Sequence, residues 1–131
     1  NNKILEVKFN KEESNGKSEI LKNFKIDILN YFSKKTKKIN YEILLNGTIA
    51  QKKIWKELMK IPYGKTKSYG AIAKKLKTSP RFVGNVCSKN NHLLIIPCHR
   101  VIRNDGSLGG FSGAGGIKLK KKLLIFENKK F

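Results

Sequence analysis

The sequence predicts a mixed α/β (α+β) fold, with a small front unit of strand and helix over residues 1–46 and a mainly helical unit over residues 47–131. Three observations predict it. Runs with two-residue alternation occur only in the front, while capped helix starts crowd into residues 48–90. Behind them, the apolar run Leu93–Ile96 stops at Pro97 and is followed by Cys98 and His99. With 131 residues, 39% of them apolar, the chain can bury a core.

In order along the chain, Ile4 to Phe9 alternates as a strand, and Asn15-Gly16 marks a hairpin or loop. From Ser18 to Phe32, apolar residues at 21, 24, 28 and 32 recur at helical spacing, with Ile20 and Leu29 beside them. Tyr41 to Leu45 reads as a second strand, closed by Asn46-Gly47. This front piece shows no catalytic constellation.

Thr48 with Gln51 forms a capping box opening a helix to about Lys60, whose Ile54, Trp55, Leu58 and Met59 are assigned to the core. Ile61-Pro62-Tyr63-Gly64 stops it. Ser68 caps a short helix, Tyr69 to Leu76, and Ser79-Pro80 opens another with proline at its first position. Two short helices across a tight turn make a helix-turn-helix candidate. On the second, Phe82, Val83 and Val86 form the apolar side, and Arg81, Asn85, Ser88 and Lys89 share the other, a face able to donate to phosphates and base edges. Leu93–Ile96 is assigned to a buried strand. Asn104-Asp105-Gly106 is a turn, and the glycines from Gly109 to Gly116 make a tightly bent loop with no nucleotide-cradle spacing. A last helix, Ile117 to Asn128, points Leu119, Leu123 and Phe126 inward and Lys118, Lys120, Lys121 and Lys122 outward. Glu127 continues the inward stripe, as a frayed terminal carboxylate or as the partner of an internal base such as His99.

The charge is unevenly distributed. Of a net +20, residues 1–47 carry ten lysines and six acids, net +4, whereas residues 48–131 carry nineteen Lys and Arg against Glu57, Asp105 and Glu127, net +16. A biased lysine content explains the bases but not the fall in acids, so the second part is read as polyanion-binding, with nucleic acid favoured over a membrane surface. No apolar run is long enough for a membrane span and no signal-type segment opens the chain, which implies a cytoplasmic protein, or a nuclear one in a eukaryote. Cys87 and Cys98 are expected to be reduced. Together with His92 and His99 they lack metal-ligand spacing, and no metal or cofactor is implied.

Cys98 carries the chemistry. A lone buried cysteine is commonly a small hydrophobe. An adjacent imidazole, Arg100, Arg103 and a glycine-rich loop instead give the electropositive, partly open setting a reactive thiol needs. An ordinary thiol is only a few per cent ionised at neutral pH, so a base must activate it, and His99 is the candidate.

Over residues 41–127 the pattern resembles the O6-alkylguanine-DNA alkyltransferases, or methylated-DNA-protein-cysteine methyltransferases. Pro97-Cys98-His99-Arg100-Val101 matches the family's acceptor motif, Asn90 its hinge asparagine, and Arg81 with Phe82-Val83-Gly84 its arginine-bearing helix. Ile61-Pro62-Tyr63-Gly64-Lys65-Thr66 with Ser68-Tyr69 matches the segment supplying its tyrosine, Gly47-Thr48, Gln51 and Trp55 the opening of its DNA-binding half, and Gly116-Ile117 through Glu127 its closing helix.

The resemblance implies a ribonuclease-H-like front domain, here abbreviated, and a winged-helix-type domain carrying the cysteine. It implies a monomer acting on double-stranded DNA that carries O6-alkylguanine. Arg81 would fill the gap left in the base stack while Tyr69 helps rotate the nucleotide outward. Asn85, Ser88, Lys89 and Arg100 are counted with the DNA-binding residues. Glu127, His99 and a bridging water would take the proton from Cys98, which accepts the alkyl group once and permanently. Val101, Phe111, Ser112 and Gly113 would line the pocket, with Phe111 standing where many relatives have tyrosine. The alternative is a non-catalytic sensor of alkylated DNA, against which the retention of Cys98 argues. A helix-turn-helix transcription factor would leave Asn90, His99 and Glu127 without a role.

Overall fold

Five helices and one parallel strand pair make up the computed structural model, which describes residues 19–39, 43–109, 116–128 and 130. The expected strand at Ile4–Phe9, the Asn15-Gly16 turn and the loop bearing Phe111, Ser112 and Gly113 lie outside the described residues. Of the expected strand Tyr41–Leu45, residues 43–45 form no strand element, Ile43 making only an isolated bridge.

Helix α1 spans Glu19–Phe32. Its buried positions differ from the expected stripe: Phe24 and Tyr31 are buried, Ile28 is half-buried, and Phe32 is 41% exposed. Residues 24, 28 and 31 fall at i, i+4 and i+7, which keeps one face better than 24, 28 and 32 does. Helix α2, Ile49–Leu58, opens on the expected capping box, Gln51 N–H donating to Thr48 Oγ1 at 3.1 Å and Thr48 N–H to Gln51 Oε1 at 2.9 Å. Ile54, Trp55 and Leu58 are buried, but Met59 is exposed and Glu57 is buried in its place, paired to Lys75 and Lys60.

Strand β1, Lys67–Ser68, runs directly into α3, Tyr69–Leu76, and β2, Val101–Ile102, pairs parallel with β1. No sequence pattern pointed to this two-residue ladder, which ties the start of α3 to the segment following Cys98. Ser68 caps α3 and Ser79 caps α4, Pro80–Ser88. Between them Lys77 takes a left-handed conformation, φ 57°, so that Thr78 N–H reaches back to Ala73 O and the turn closes in three residues. Helix α5 spans Gly116–Glu127.

Leu93–Ile96 is not a strand. It is a tight turn in which Ile96 N–H donates to His92 O at 2.8 Å and Leu94 has φ 71°. All four side chains are buried, as expected, but toward three places. Leu93 and Ile96 join the main core of α2, α3 and α4, Ile95 packs with Phe24 of α1, and Leu94 packs with Tyr31 and Leu123 of α5. A strand offers two faces, so it cannot serve three clusters from four consecutive residues. The left-handed leucine costs roughly 1–2 kcal/mol, while each buried aliphatic side chain returns about 1.5–3 kcal/mol. Burial therefore wins, and the turn becomes the point where α1, α5 and the helical core meet.

Candidate active site

Immediately after Pro97, Cys98–Arg100 form a single 3-10 turn in which cysteine, histidine and arginine are all buried. Cys98 is only 3% exposed, more closed than the partly open setting expected. Its Sγ accepts from Asn90 Nδ2 at 3.1 Å. Asn90 is itself buried at the end of α4, and its Nδ2 also donates to Ile96 O at 2.8 Å while Oδ1 accepts from His92 N–H at 2.7 Å. One side chain thus pins both the apolar turn and the thiol. Burial pushes the Cys98 thiol up to about 11, partly offset by the Asn90 bond and by Lys120, so the resting group is a neutral thiol. Cys87 is also free and buried, and burial pushes its thiol up to about 12.

Behind the thiol lies a saturated carboxylate. Glu127 Oε2 accepts from His99 Nε2 at 2.8 Å, Arg100 Nη2 at 2.7 Å and Tyr31 Oη at 2.6 Å. Oε1 accepts from Arg100 Nε at 2.7 Å and Gly64 N–H at 3.3 Å. Burial by itself would raise the Glu127 carboxyl, but His99, Arg100 and Tyr31 outweigh it and hold the group well below the usual carboxylate range. His99 is pushed down by burial, a shift its bond to Glu127 opposes without reversing. The pair is therefore a neutral imidazole donating to a carboxylate whose charge Arg100 already balances. Because an ionised carboxylate only accepts, the proton sits on Nε2 and Nδ1 keeps a lone pair. Nδ1 is buried without a hydrogen-bond partner among the described residues. A general base needs a basic nitrogen with a free lone pair, and His99, next to Cys98 in sequence, keeps one.

Arg100 departs from its assignment to the DNA surface. It is buried, forked onto both oxygens of Glu127, donates from Nη1 to Ile61 O at 2.8 Å, and lies over the Tyr63 ring. Glu127 and Ile61 take three of its five N–H donors, and burial keeps the guanidinium from a phosphate on the surface. Lys120 departs from its expected outward place as well: it is fully buried, and Nζ donates to Tyr69 Oη at 3.1 Å. On α5, residues 120, 124 and 127 fall at i, i+4 and i+7, the spacing that could have located it. Tyr31 and the Gly64 amide were missed because neither is near the motif in sequence.

Tyr69, first residue of α3, is half-buried; burial pushes its phenol up to about 12, so it stays a proton donor. A side chain on Gly109 would collide with the Tyr69 ring and hydroxyl, so the loop after β2 lies flush against it. Val101 is fully buried in the main core. Arg81, Asn85, Ser88 and Lys89 are all exposed on one face of α4 and its C-cap.

A family model for the 6-O-methylguanine DNA methyltransferase DNA-binding domain matches residues 50–129. This chain belongs to that family. Among its relatives, the methylated-DNA–protein-cysteine methyltransferase of Sulfolobus acidocaldarius is 50% identical over 98 residues, covering 75% of this chain and 61% of that protein. The chain thus spans about three-fifths of that relative's length. In structure, the Mycobacterium tuberculosis OGT in complex with DNA superimposes with a TM-score of 0.75 at 39% identity, over 82% of this chain and 68% of that one. S. pombe Atl1 in complex with damaged DNA containing O6-carboxymethylguanine gives a TM-score of 0.55 at 27% identity, over 63% of this chain and 79% of that one. The family's helix-rich fold with a small parallel strand pair is the one this chain adopts. No helix among the described residues is long and apolar enough to cross a membrane.

Proposed function

We propose that the protein repairs DNA by moving the alkyl group of O6-alkylguanine onto Cys98, once per molecule. The observation that carries this reading is the closed thiol held by Asn90 beside a neutral His99 whose Nδ1 lone pair has no other use. The Sγ proton passes through one bridging water to His99 Nδ1, and Glu127 and Arg100 stabilise the imidazolium that forms. Sγ then bonds to the alkyl carbon as the carbon–O6 bond breaks. The electron pair returns to the guanine ring, which takes a proton from Tyr69 and leaves neutral. Lys120, donating to that hydroxyl, supports the transfer. The thioether has no leaving group and no activating partner in this site, so turnover ends there.

Burial serves the chemistry as well as the core. A desolvated sulfur is a better nucleophile toward carbon, and an in-line displacement asks for position rather than a metal or cofactor. Because the target atom is hidden in the base stack, the nucleotide must be flipped out. The exposed row Arg81, Asn85, Ser88 and Lys89 meets the duplex, with Arg81 filling the gap and Tyr69 turning the nucleotide. From the family resemblance we assign the pocket to Val101, Phe111, Ser112 and Gly113, the last three outside the described residues. The finer architecture we read as a ribonuclease-H-like segment over residues 1–46 and a winged-helix-type domain over residues 47–131, working as a monomer in the cytoplasm, or the nucleus of a eukaryote.

The decisive test is to incubate the protein with a duplex containing O6-methylguanine and weigh the peptide bearing Cys98. One methyl group on that peptide, lost in Cys98→Ala, is the expected result. Tight binding without a mass change would overturn the transfer and leave a sensor of alkylated DNA.

A further inference from the structure

Glu127 receives five donors, although a carboxylate offers only about four lone-pair positions. Four of the five come from the segments that also build the acceptor site: His99, Arg100 twice, and the Gly64 amide. The fifth is the hydroxyl of Tyr31, from α1, 96 residues away in sequence and outside the residues 50–129 that the family model matches. Its 2.6 Å bond is among the shortest in the cluster, and it falls on Oε2, the same oxygen that His99 uses.

The ring and the hydroxyl of Tyr31 raise separate questions. The ring is buried against Phe32, Tyr63 and Phe126, with centroids 5.0, 5.8 and 5.4 Å away, and a phenylalanine would fill that space equally. Packing therefore explains the aromatic residue and leaves the hydroxyl unexplained. A strong donor on Oε2 draws off part of the charge that would otherwise act on His99 Nε2–H. Without it the carboxylate would hold that proton more tightly and favour the imidazolium, which has no lone pair left on Nδ1.

We propose that Tyr31 is a positioning residue for alkyl transfer, its hydroxyl fixing the Glu127 carboxylate and limiting its pull on His99 so that the imidazole rests neutral. This rests on the reading of His99 as the base of Cys98. The other groups facing the pair are Arg100 from the 3-10 turn, Lys120 from α5 and Tyr63 from the turn after α2. Burial, then Glu127, pushes the Tyr31 phenol far above its ordinary value, so it remains a donor throughout any working range.

Two measurements on the full chain test this. The first is the pH dependence of single-turnover methyl transfer from an O6-methylguanine duplex, for wild type and Tyr31→Phe. The second is the titration of the His99 ring followed by NMR in the same proteins. In Tyr31→Phe the acid limb and the His99 titration should both move up by about half a pH unit or more, with little change in the plateau rate. Replacing Tyr31 with 3-fluorotyrosine, a stronger hydroxyl donor that keeps the ring, should move both the other way. A His99 titration unmoved by either change would overturn the proposal. Should the wild type transfer no methyl group, the alkyltransferase reading falls, and the ring titration still decides whether Tyr31 sets the state of His99.

Discussion

The α4 face and the Glu127 cluster are opposite ways of using charge. On α4, Arg81, Asn85, Ser88 and Lys89 stand exposed in one row, made by one helix from residues close in sequence. Around Glu127, donors at positions 31, 64, 99 and 100 come from three separate segments, and the side chains among them are buried. Exposed charges cost nothing to fold and are available to a polyanion. Buried charges must satisfy one another completely, and what they offer is a fixed protonation state. On the proposed function, the first region serves binding and the second serves chemistry.

The strongest way to break this contrast is to unbalance the cluster. Glu127→Gln leaves Arg100 buried without its counter-charge and should lower stability by about 3–5 kcal/mol, read from urea unfolding. An effect below about 1 kcal/mol would mean the cluster tolerates an unpaired guanidinium. Acid probes the same balance. His99 has a folded value below its unfolded one, so its contribution is present above about pH 6.5 and is lost as the pH falls from there toward the folded value. Glu127, also lowered, adds a second loss as the pH falls below the ordinary carboxylate range. Stability should therefore decline in two stages on acidification, and Glu127→Gln should remove the second.

On the open face the expectation reverses. Arg81→Ala should change stability by no more than about 0.5 kcal/mol, yet lower repair of O6-methylguanine in duplex DNA by about tenfold or more. Transfer from the free base analogue should be unaffected. Equal loss on both substrates would show that Arg81 acts on the acceptor site rather than on the duplex. The smallest effect concerns the turn between α3 and α4. Lys77→Gly relieves a left-handed lysine and should add about 0.5–1 kcal/mol, seen as a raised unfolding midpoint.

What could be read from the sequence follows the same division. The caps at Thr48, Ser68 and Ser79 fixed three helix starts, because a cap is a contact between residues three apart. The exposed row of α4 was legible for the same reason. Arg100 and Lys120 were misplaced because a basic side chain reads as surface until its partner is known, and those partners, Glu127 and Tyr69, lie 27 and 51 residues away. Tyr31 was passed over because Phe32 beside it fits an apolar stripe nearly as well. Leu93–Ile96 was read as a strand because its burial is visible in composition, whereas the number of directions in which it is buried is not.

That turn also bears on how the molecule comes apart. Since Leu93 and Ile96, Ile95, and Leu94 belong to three different clusters, no one cluster can loosen without disturbing a residue covalently joined to the other two. The amide of Ile96, bonded to His92 O inside the turn, should exchange its hydrogen with solvent only when the whole structure opens. The segment just ahead of Cys98 thus ties helix α1 and the helical core into one unfolding unit.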